Sequence, residues 1–144
     1  MKKIIVLIAA FSLMINCYGP KGMVKIEPNG SEIAQDGSVI EEDSLEYELV
    51  VLDPGFDTWY LLQDSPARYR SQQYYENWNF QYVTAWNSLA RNPRRGSFFQ
   101  TIIGYEPNVD YGLELNHKLF YYFQYVEHKL GIPILSNRPA GVVF

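Results

Sequence analysis

The sequence predicts an α+β protein in which two antiparallel amphipathic helices pack on a small, mostly antiparallel sheet. Three observations carry this prediction. Two long segments place apolar residues at helical intervals, several short runs are rich in β-forming residues, and aromatic side chains make up 16% of the 144 residues. Because each large ring can bury a wide area, a single domain over residues 45–144 can form its core from them.

The domain is predicted to begin with a strand. Residues 45–53 (LEYELVVLD) alternate in polarity, become continuously apolar, and stop at Pro54-Gly55. Residues 57–63 form a second apolar patch, which we interpret as another short strand. Three further short strands are predicted at residues 97–105, 132–135 and 140–144.

The first predicted helix starts at Pro66, or at Ser71 if its start is broken, and it ends at Arg91. Asn92 precedes Pro93, and a residue in that position avoids helical backbone angles. Its apolar residues recur at intervals of three and four, which is typical of a helix with one buried face. They are Tyr75, Trp78, Tyr82, Trp86 and Leu89.

A second helix is predicted over residues 111–130. Asp110 can cap its start, and Gly131 with Pro133 is typical of a helix end. The predicted buried stripe comprises Leu115, Leu119, Tyr122, Phe123, Val126 and Leu130. The opposite face carries His117, Tyr121, Gln124 and His128.

That opposite face has two interpretations. It is either a solvated helix face, which we favour, or a surface that contacts a ligand or partner together with Trp59. His117 and His128 lie about 16 Å apart along a helix and cannot share one metal ion. No phosphate loop, zinc motif or nucleophile elbow is present, so the sequence predicts no catalytic residue, no metal and no cofactor.

Several other residues have alternative interpretations. Glu106, Asp110 and Glu114 are either the acids of a hydrolase or calcium site or, more simply, the capped entrance of a helix. The three tryptophans could stack on sugars, but the helical spacing of Trp78 and Trp86 favours a place in the core. The amides Asn79 and Asn116 fall on or beside the apolar stripes, where we expect them to bond loop backbone.

The first sixteen residues are predicted to be an export signal. Lys2 and Lys3 precede an apolar run over residues 4–15, which is shorter than the about 20 residues a membrane-spanning helix needs. Cys17 follows, and this leader resembles bacterial lipoprotein signals, in which that cysteine carries the lipid. Met14 and Asn16 depart from the usual residues. The alternative is an uncleaved or differently cleaved signal with an incidental cysteine.

The charge is concentrated in one segment. Residues 18–48 contain two basic and eight acidic side chains, whereas residues 49–144 contain eight of each. Residues 17–44 are therefore interpreted as the lipidated cysteine and a flexible acidic tether. A neutral domain lacks the basic surface that nucleic acid requires, so no nucleic-acid partner is predicted.

The domain resembles a family of small uncharacterised lipoproteins of the Bacteroidota, the domain of unknown function 6146. The resemblance covers residues 46–129, and it implies no activity. It is carried by Asp53-Pro54-Gly55-Phe56, Trp59, Ser71, Tyr74-Tyr75-Glu76, Asn79, Tyr82-Val83, Trp86-Asn87, Tyr105, Pro107-Asn108, Asp110-Tyr111-Gly112, Glu114, Asn116 and Tyr122-Phe123.

We therefore expect a non-enzymatic binding or structural lipoprotein of the cell envelope, anchored through Cys17 to the outer membrane and facing the periplasm. Its partners would be the membrane and another envelope protein. A module that binds carbohydrate or peptidoglycan fragments through Trp59 and loop acids is the alternative. A hydrolase that uses Glu106 and Asp110 is a third hypothesis.

Overall fold

The α+β class is confirmed. A computed structural model describes residues 21–29, 46–92 and 98–139. In these ranges two antiparallel strands accompany three α-helices: β1 (Val24–Asn29), β2 (Glu46–Val51), α1 (Pro54–Gln63), α2 (Gln72–Ala90) and α3 (Gly112–Gln124). A 3₁₀ turn, Pro66–Arg68, precedes α2, and a π-helical turn, Tyr125–Lys129, continues α3. Within these ranges, no helix has the length and apolar character that crossing a bilayer requires.

Strand β1 lies inside the segment that was predicted to be a tether. It pairs with β2 from Val24 opposite Val51 to Asn29 opposite Glu46. Val24 is fully buried, and a Cβ atom at Gly22 would lie 2.6 Å from the Trp86 ring. Residues 22–29 therefore belong to the folded domain, and a tether over these residues is wrong. The alternation of apolar and charged residues in β1 is short, and the Gly, Pro and acidic residues around it are typical of a flexible segment. The sequence therefore favours a tether there.

Helix α1 replaces the predicted strand over residues 57–63. Asp53 accepts a 2.9 Å hydrogen bond from the Gly55 amide, and Pro54 occupies the first helical position. Asp53 and Pro54 therefore begin a helix at the same point where the strand before them ends. Phe56 is buried, and Tyr60 packs beside it with ring centroids 5.5 Å apart. A short apolar run does not by itself distinguish the two structures.

Helix α2 begins at the second of the two predicted starts. The Ser71 hydroxyl caps it by accepting a 3.3 Å hydrogen bond from the Tyr74 amide. Helix α3 and its π turn confirm the second predicted helix, which ends at Gly131 in the left-handed region with φ of 69°. Only a residue such as glycine takes this angle without strain.

The two long helices run in the same direction, contrary to the predicted antiparallel pair. Gln72 at the start of α2 bonds Asp110 just before α3. Further along, Asn79 bonds Asn116, and Tyr82 bonds Glu127 in the π turn. The long connection between the helices therefore returns the chain to the same end of the domain.

That connection is not the strand predicted over residues 97–105. Within residues 98–105 a single parallel bridge joins Phe99 to Gly22. Side chains of α2 hold this segment instead. Trp86 Nε1 donates to the Thr101 carbonyl at 2.8 Å, and the Asn87 side chain bonds both the amide and the carbonyl of Ile103.

The predicted strand over residues 132–135 is irregular backbone, which the buried carboxylate of Glu127 holds by accepting from the Ile134 and Leu135 amides. The strand predicted over residues 140–144 and the leader with Cys17 lie outside the described residues.

Candidate functional site

A concave site opens between α1, the turn that follows it and the start of α3. We call it the Tyr60 cleft, and its volume is about 550 Å³. Three of its eight lining residues are acidic. The eight lining residues are Asp57, Tyr60, Leu61, Asp64, Tyr69, Leu113, Glu114 and Lys118. Concavities of this size are where proteins most often bind ligands.

A second concavity, of about 650 Å³, lies between the sheet and the start of α3, and we call it the Tyr47 cleft. It shares Leu113, Glu114 and Lys118 with the Tyr60 cleft, so the two clefts lie side by side at the first turns of α3. We call both together the acidic groove. The remaining lining residues are Asn29, Glu46, Tyr47, Glu48, Leu49, Asp110, Tyr111, Gly112 and Leu115.

His117 lies behind the Tyr60 cleft in a cage of tyrosines. Its ring centroid is 4.2 Å from that of Tyr69 and 4.4 Å from that of Tyr121. Tyr75 and Tyr60 complete the cage at 5.1 and 5.7 Å. Since Tyr60 and Tyr69 also line the cleft, they separate the histidine from the groove. We call this arrangement the His117 cage.

The histidine is held as a neutral ring. His117 Nδ1 and the Tyr60 hydroxyl are 2.8 Å apart, and the residue is only 1% exposed. Burial lowers the pKa of His117, although the charge of Asp64 partly opposes this effect. The Nε2 atom is buried without a hydrogen-bond partner among the described residues. A buried titratable group behind a cleft is a common mark of a functional site.

The tyrosines that line the cleft lie in a negative field. Burial is the main cause that raises the pKa of Tyr60, and Asp64 and Glu114 raise it further. The hydroxyl of Tyr69 donates a 2.6 Å hydrogen bond to Asp64, and this bond is the main reason that its pKa rises to about 12. Both phenols therefore stay protonated at neutral pH, and the charges of Asp64 and Glu114 converge on them.

The lowered pKa of His117 predicts an acid-sensitive domain. Since the unfolded chain binds this proton at higher pH than the folded chain does, the free energy of unfolding rises with pH in this range. It should fall as pH drops through the ordinary histidine pKa of about 6.5, and it should level off below the lowered folded value. Urea unfolding at a series of pH values measures this loss.

His117→Phe should remove that loss between neutral and mildly acidic pH. His128→Gln is the matched control, because it removes an exposed histidine from the same helical segment and should keep the loss. A wild-type domain that is equally stable at both pH values would contradict the buried neutral ring.

The structure corrects the predicted surface on α3. His117, Tyr121 and Gln124 are buried, and only His128 of that face is exposed. The prediction was wrong because α3 packs against α2 on one side and α1 and β2 on others, so both its faces are covered. A polar face on a central helix is therefore part of the core.

Trp59 is half-buried and does not line the Tyr60 cleft. Its ring packs on Tyr125 and Tyr121, at centroid distances of 5.4 and 6.3 Å. Trp86 is fully buried, as its helical spacing predicted, whereas Trp78 is partly exposed. The structure therefore places His117 and Tyr121 in the core beneath Trp59, rather than on an exposed surface with it.

The acids around the start of α3 mainly form a helix entrance, although the N-cap residue is Tyr111 and not the predicted Asp110. Asp110 accepts hydrogen bonds from the Gly112 amide at 2.9 Å and from Gln72 Nε2 at 2.7 Å, and these bonds lower its pKa. Glu114 lines both clefts, whereas Glu106 lines neither. Within the described ranges, no group of three His, Cys, Asp or Glu side chains could hold a metal ion.

The buried amides have different partners from those expected. Asn79 Nδ2 donates to the carbonyl and the side-chain oxygen of Asn116, which lies in α3 rather than in a loop. Asn116 in turn donates to the Gly112 carbonyl and accepts from the Tyr105 hydroxyl. Asn87 on α2 is instead the amide that bonds loop backbone.

The sequence marks Asp57 and Asp64 as loop acids, but it gives no functional role to Tyr60 and Leu61, because their segment is predicted to be a strand. Asp57, Tyr60, Leu61 and Asp64 are spaced at 0, 3, 4 and 7, which places them on one face of a helix. This spacing was the available signal.

The fold and the site together define a small α+β protein with an acidic, tyrosine-lined groove in front of a buried histidine. The chain belongs to a family of unknown function, DUF6146, whose model matches residues 5–138. This confirms the family itself, though not the lipoprotein and Bacteroidota parts of the resemblance, and extends the match on both sides of residues 46–129. Neither the curated proteins nor the solved structures contain a match to the chain.

Proposed function

We propose that this chain is a lipid-anchored, non-enzymatic protein of the cell envelope that binds a partner protein in the acidic groove. The observation that carries the binding role is the Tyr60 cleft, an open concavity of about 550 Å³ in front of the His117 cage. Two exposed leucines, Leu61 and Leu113, lie on its walls beside the three carboxylates. Apolar side chains beside charged ones are typical of a recognition surface.

The sequence supports the anchor. A short basic start, an apolar run over residues 4–15 and Cys17 together have the form of a lipoprotein signal. A lipidated Cys17 would hold the domain near a bilayer, since two or more acyl chains give stable attachment. The outer membrane, with the domain facing the periplasm, is the location we propose.

The arrangement favours binding over catalysis. His117 is the buried base nearest the groove, and the rings of Tyr60 and Tyr69 separate it from a ligand there. Asp64 is already engaged by the Tyr69 hydroxyl. A general base must reach the proton that it removes within hydrogen-bond distance, and this histidine does not reach the groove.

A carbohydrate module remains the second candidate, because one observation favours it. Tyrosine rings and carboxylates line the same clefts, with Tyr47 and Tyr111 in edge contact at 4.9 Å in the Tyr47 cleft. Aromatic faces with polar neighbours suit sugar rings. In this candidate function, the tyrosines of the groove would contact the sugar in place of Trp59.

Mass spectrometry of the protein purified from native membranes tests the anchor. The expected product begins at Cys17 and carries lipid, and a Cys17→Ser variant should leave the membrane fraction. A native chain that retains its leader, or that has an unmodified thiol, would contradict the anchor without affecting the groove.

Site-specific photo-crosslinking in native envelopes tests the binding role. A photo-reactive residue replaces Leu61 in the groove, and in the control it replaces Leu52, which is 58% exposed elsewhere. A single protein crosslinked at Leu61, and absent at Leu52, is expected. Its loss in a Glu114→Lys background would tie it to the groove. Products that contain only glycan fragments, or equal products at both positions, would overturn the proposal.

A further inference from the structure

We infer that the partner presents a basic, leucine-containing segment of its chain, which lies along the acidic groove and occupies both clefts. This inference rests on the proposed binding role and specifies the chemistry of the partner. It is carried by the charge of the groove, by the leucines on its walls and by the adjacency of its two clefts.

The groove carries a large excess of negative charge. Among the described residues, six carboxylates line it against one ammonium group, that of Lys118. Lys118 is already 3.8 Å from Asp57, so it offsets a charge within the groove itself. The six are Glu46, Glu48, Asp57, Asp64, Asp110 and Glu114. A cationic ligand gains from this field, whereas nucleic acid and other polyanions are repelled.

Two of these charges act at one place, in the Tyr60 cleft. Asp64 and Glu114 come from different elements, the end of α1 and the first turn of α3, and both raise the pKa of Tyr60 and of Tyr69. Convergent carboxylates beside aromatic rings suit lysine and arginine side chains, because those residues pair with the acids and lay their stems on the rings.

The exposed leucines of the groove indicate that the partner segment also carries apolar side chains. Leu61 is 74% exposed and Leu113 is 39% exposed, and both lie on the walls of the Tyr60 cleft beside Tyr69. A simple cation or a neutral sugar would leave these surfaces in water. A peptide that alternates basic and apolar residues covers them and places its charges on the acids.

The two clefts are adjacent, which favours a ligand long enough to reach both. Leu113, Glu114 and Lys118 belong to both clefts, and Glu114 therefore lies at the centre of the groove. Each cleft has a volume within the range of about 300–1,000 Å³ that is usual for ligand pockets. The two clefts together therefore have more volume than a single side chain would fill. A segment of several residues can place side chains in both clefts.

The test is a titration of the mature full-length chain in neutral detergent micelles, with empty micelles as the blank. The probe is a synthetic peptide of alternating lysine and leucine. Two control peptides replace every lysine by glutamate or every leucine by serine. We expect binding of the first peptide only, and weaker binding as salt concentration rises. A chito-oligosaccharide is titrated in parallel.

Charge-removing variants locate the contact. Glu114→Gln at the centre and Glu48→Gln in the Tyr47 cleft should each weaken binding about threefold, and the double variant about tenfold. Glu106→Gln is the matched control, because it removes the same charge from a nearby exposed residue outside both clefts, and it should leave the affinity unchanged. Circular dichroism checks that each variant is folded.

The outcomes separate this inference from the proposed function. Equal binding of the glutamate peptide, an unchanged affinity in Glu48→Gln, or an equal loss in Glu106→Gln would overturn the extended basic segment. Binding of the oligosaccharide alone would overturn it too, and would favour the carbohydrate alternative. If the peptide fails to bind while Leu61 still crosslinks one native protein, the binding role stands and this partner chemistry is wrong.

Discussion

Replacing Trp86 by alanine is expected to lower the free energy of unfolding by about 3–5 kcal/mol, the usual loss for a fully buried large aromatic. The Trp86 ring is completely buried and contacts Phe99 and Phe98 of the loop, at centroid distances of 4.8 and 5.9 Å. It also packs on Tyr122 of α3, and its Nε1 atom holds the Thr101 carbonyl. One side chain thus joins α2, α3 and the connection between them.

Urea unfolding followed by tryptophan fluorescence and circular dichroism measures this loss. Trp78→Ala is the matched control on the same helix, because Trp78 is partly exposed and should lose much less stability. The free energy of unfolding of native proteins is about 5–15 kcal/mol in total, so Trp86→Ala should leave a marginally stable fold. Equal losses in the two variants would contradict the central place of Trp86 in the core.

Replacing Glu127 by alanine is expected to cost about 2–5 kcal/mol, because it strips buried polar groups of their partner. Glu127 is 4% exposed, and its Oε1 atom accepts from the Ile134 and Leu135 amides, both at 2.9 Å. Its other oxygen accepts from the Tyr82 hydroxyl at 2.9 Å. The alanine variant leaves both amides without this acceptor and releases the segment that follows the π turn.

Two variants separate the hydrogen bonds of Glu127 from its charge. Glu127→Gln keeps a side-chain oxygen for the two amides and should lose much less stability than Glu127→Ala. Arg138→Ala should cost about 0–1 kcal/mol, because Arg138 lies 3.5 Å from the carboxylate and its side chain is 45% exposed. Hydrogen exchange at Ile134 and Leu135 should quicken in the alanine variant alone. A glutamine variant as unstable as alanine would show that the charge dominates.

The long helices could be predicted from the sequence because their patterns are long and their ends carry local signals. The interval pattern from Tyr75 to Leu89 defines α2, and Gly131 with Pro133 ends the second helix. Helix α1 and strand β1 could not be assigned from the sequence because they are short, with ten residues in α1 and six in β1. Over such lengths one apolar run fits either a helix or a strand.

The candidate site was harder to predict than the fold because it depends on which faces are covered. His117 and Tyr121 lie opposite the most apolar stripe of α3, and on a surface helix that face would be solvated. Helix α1 covers it here, through the Tyr60–His117 hydrogen bond and the contact of Tyr60 with Tyr121. A strand over residues 57–63 would not provide this cover, so the sequence alone places the histidine in solvent.

Methyl NMR of the leucine-labelled mature chain in micelles tests the central claim, that the acidic groove is the binding surface. During titration with the lysine–leucine peptide, the Leu61 and Leu113 methyl signals should shift and saturate together. Leu62 is as exposed as Leu61 on the same helix but lies outside the clefts, and its signals should stay in place, as should those of Leu52. Shifts at Leu62 or Leu52 with silent groove leucines would contradict the account.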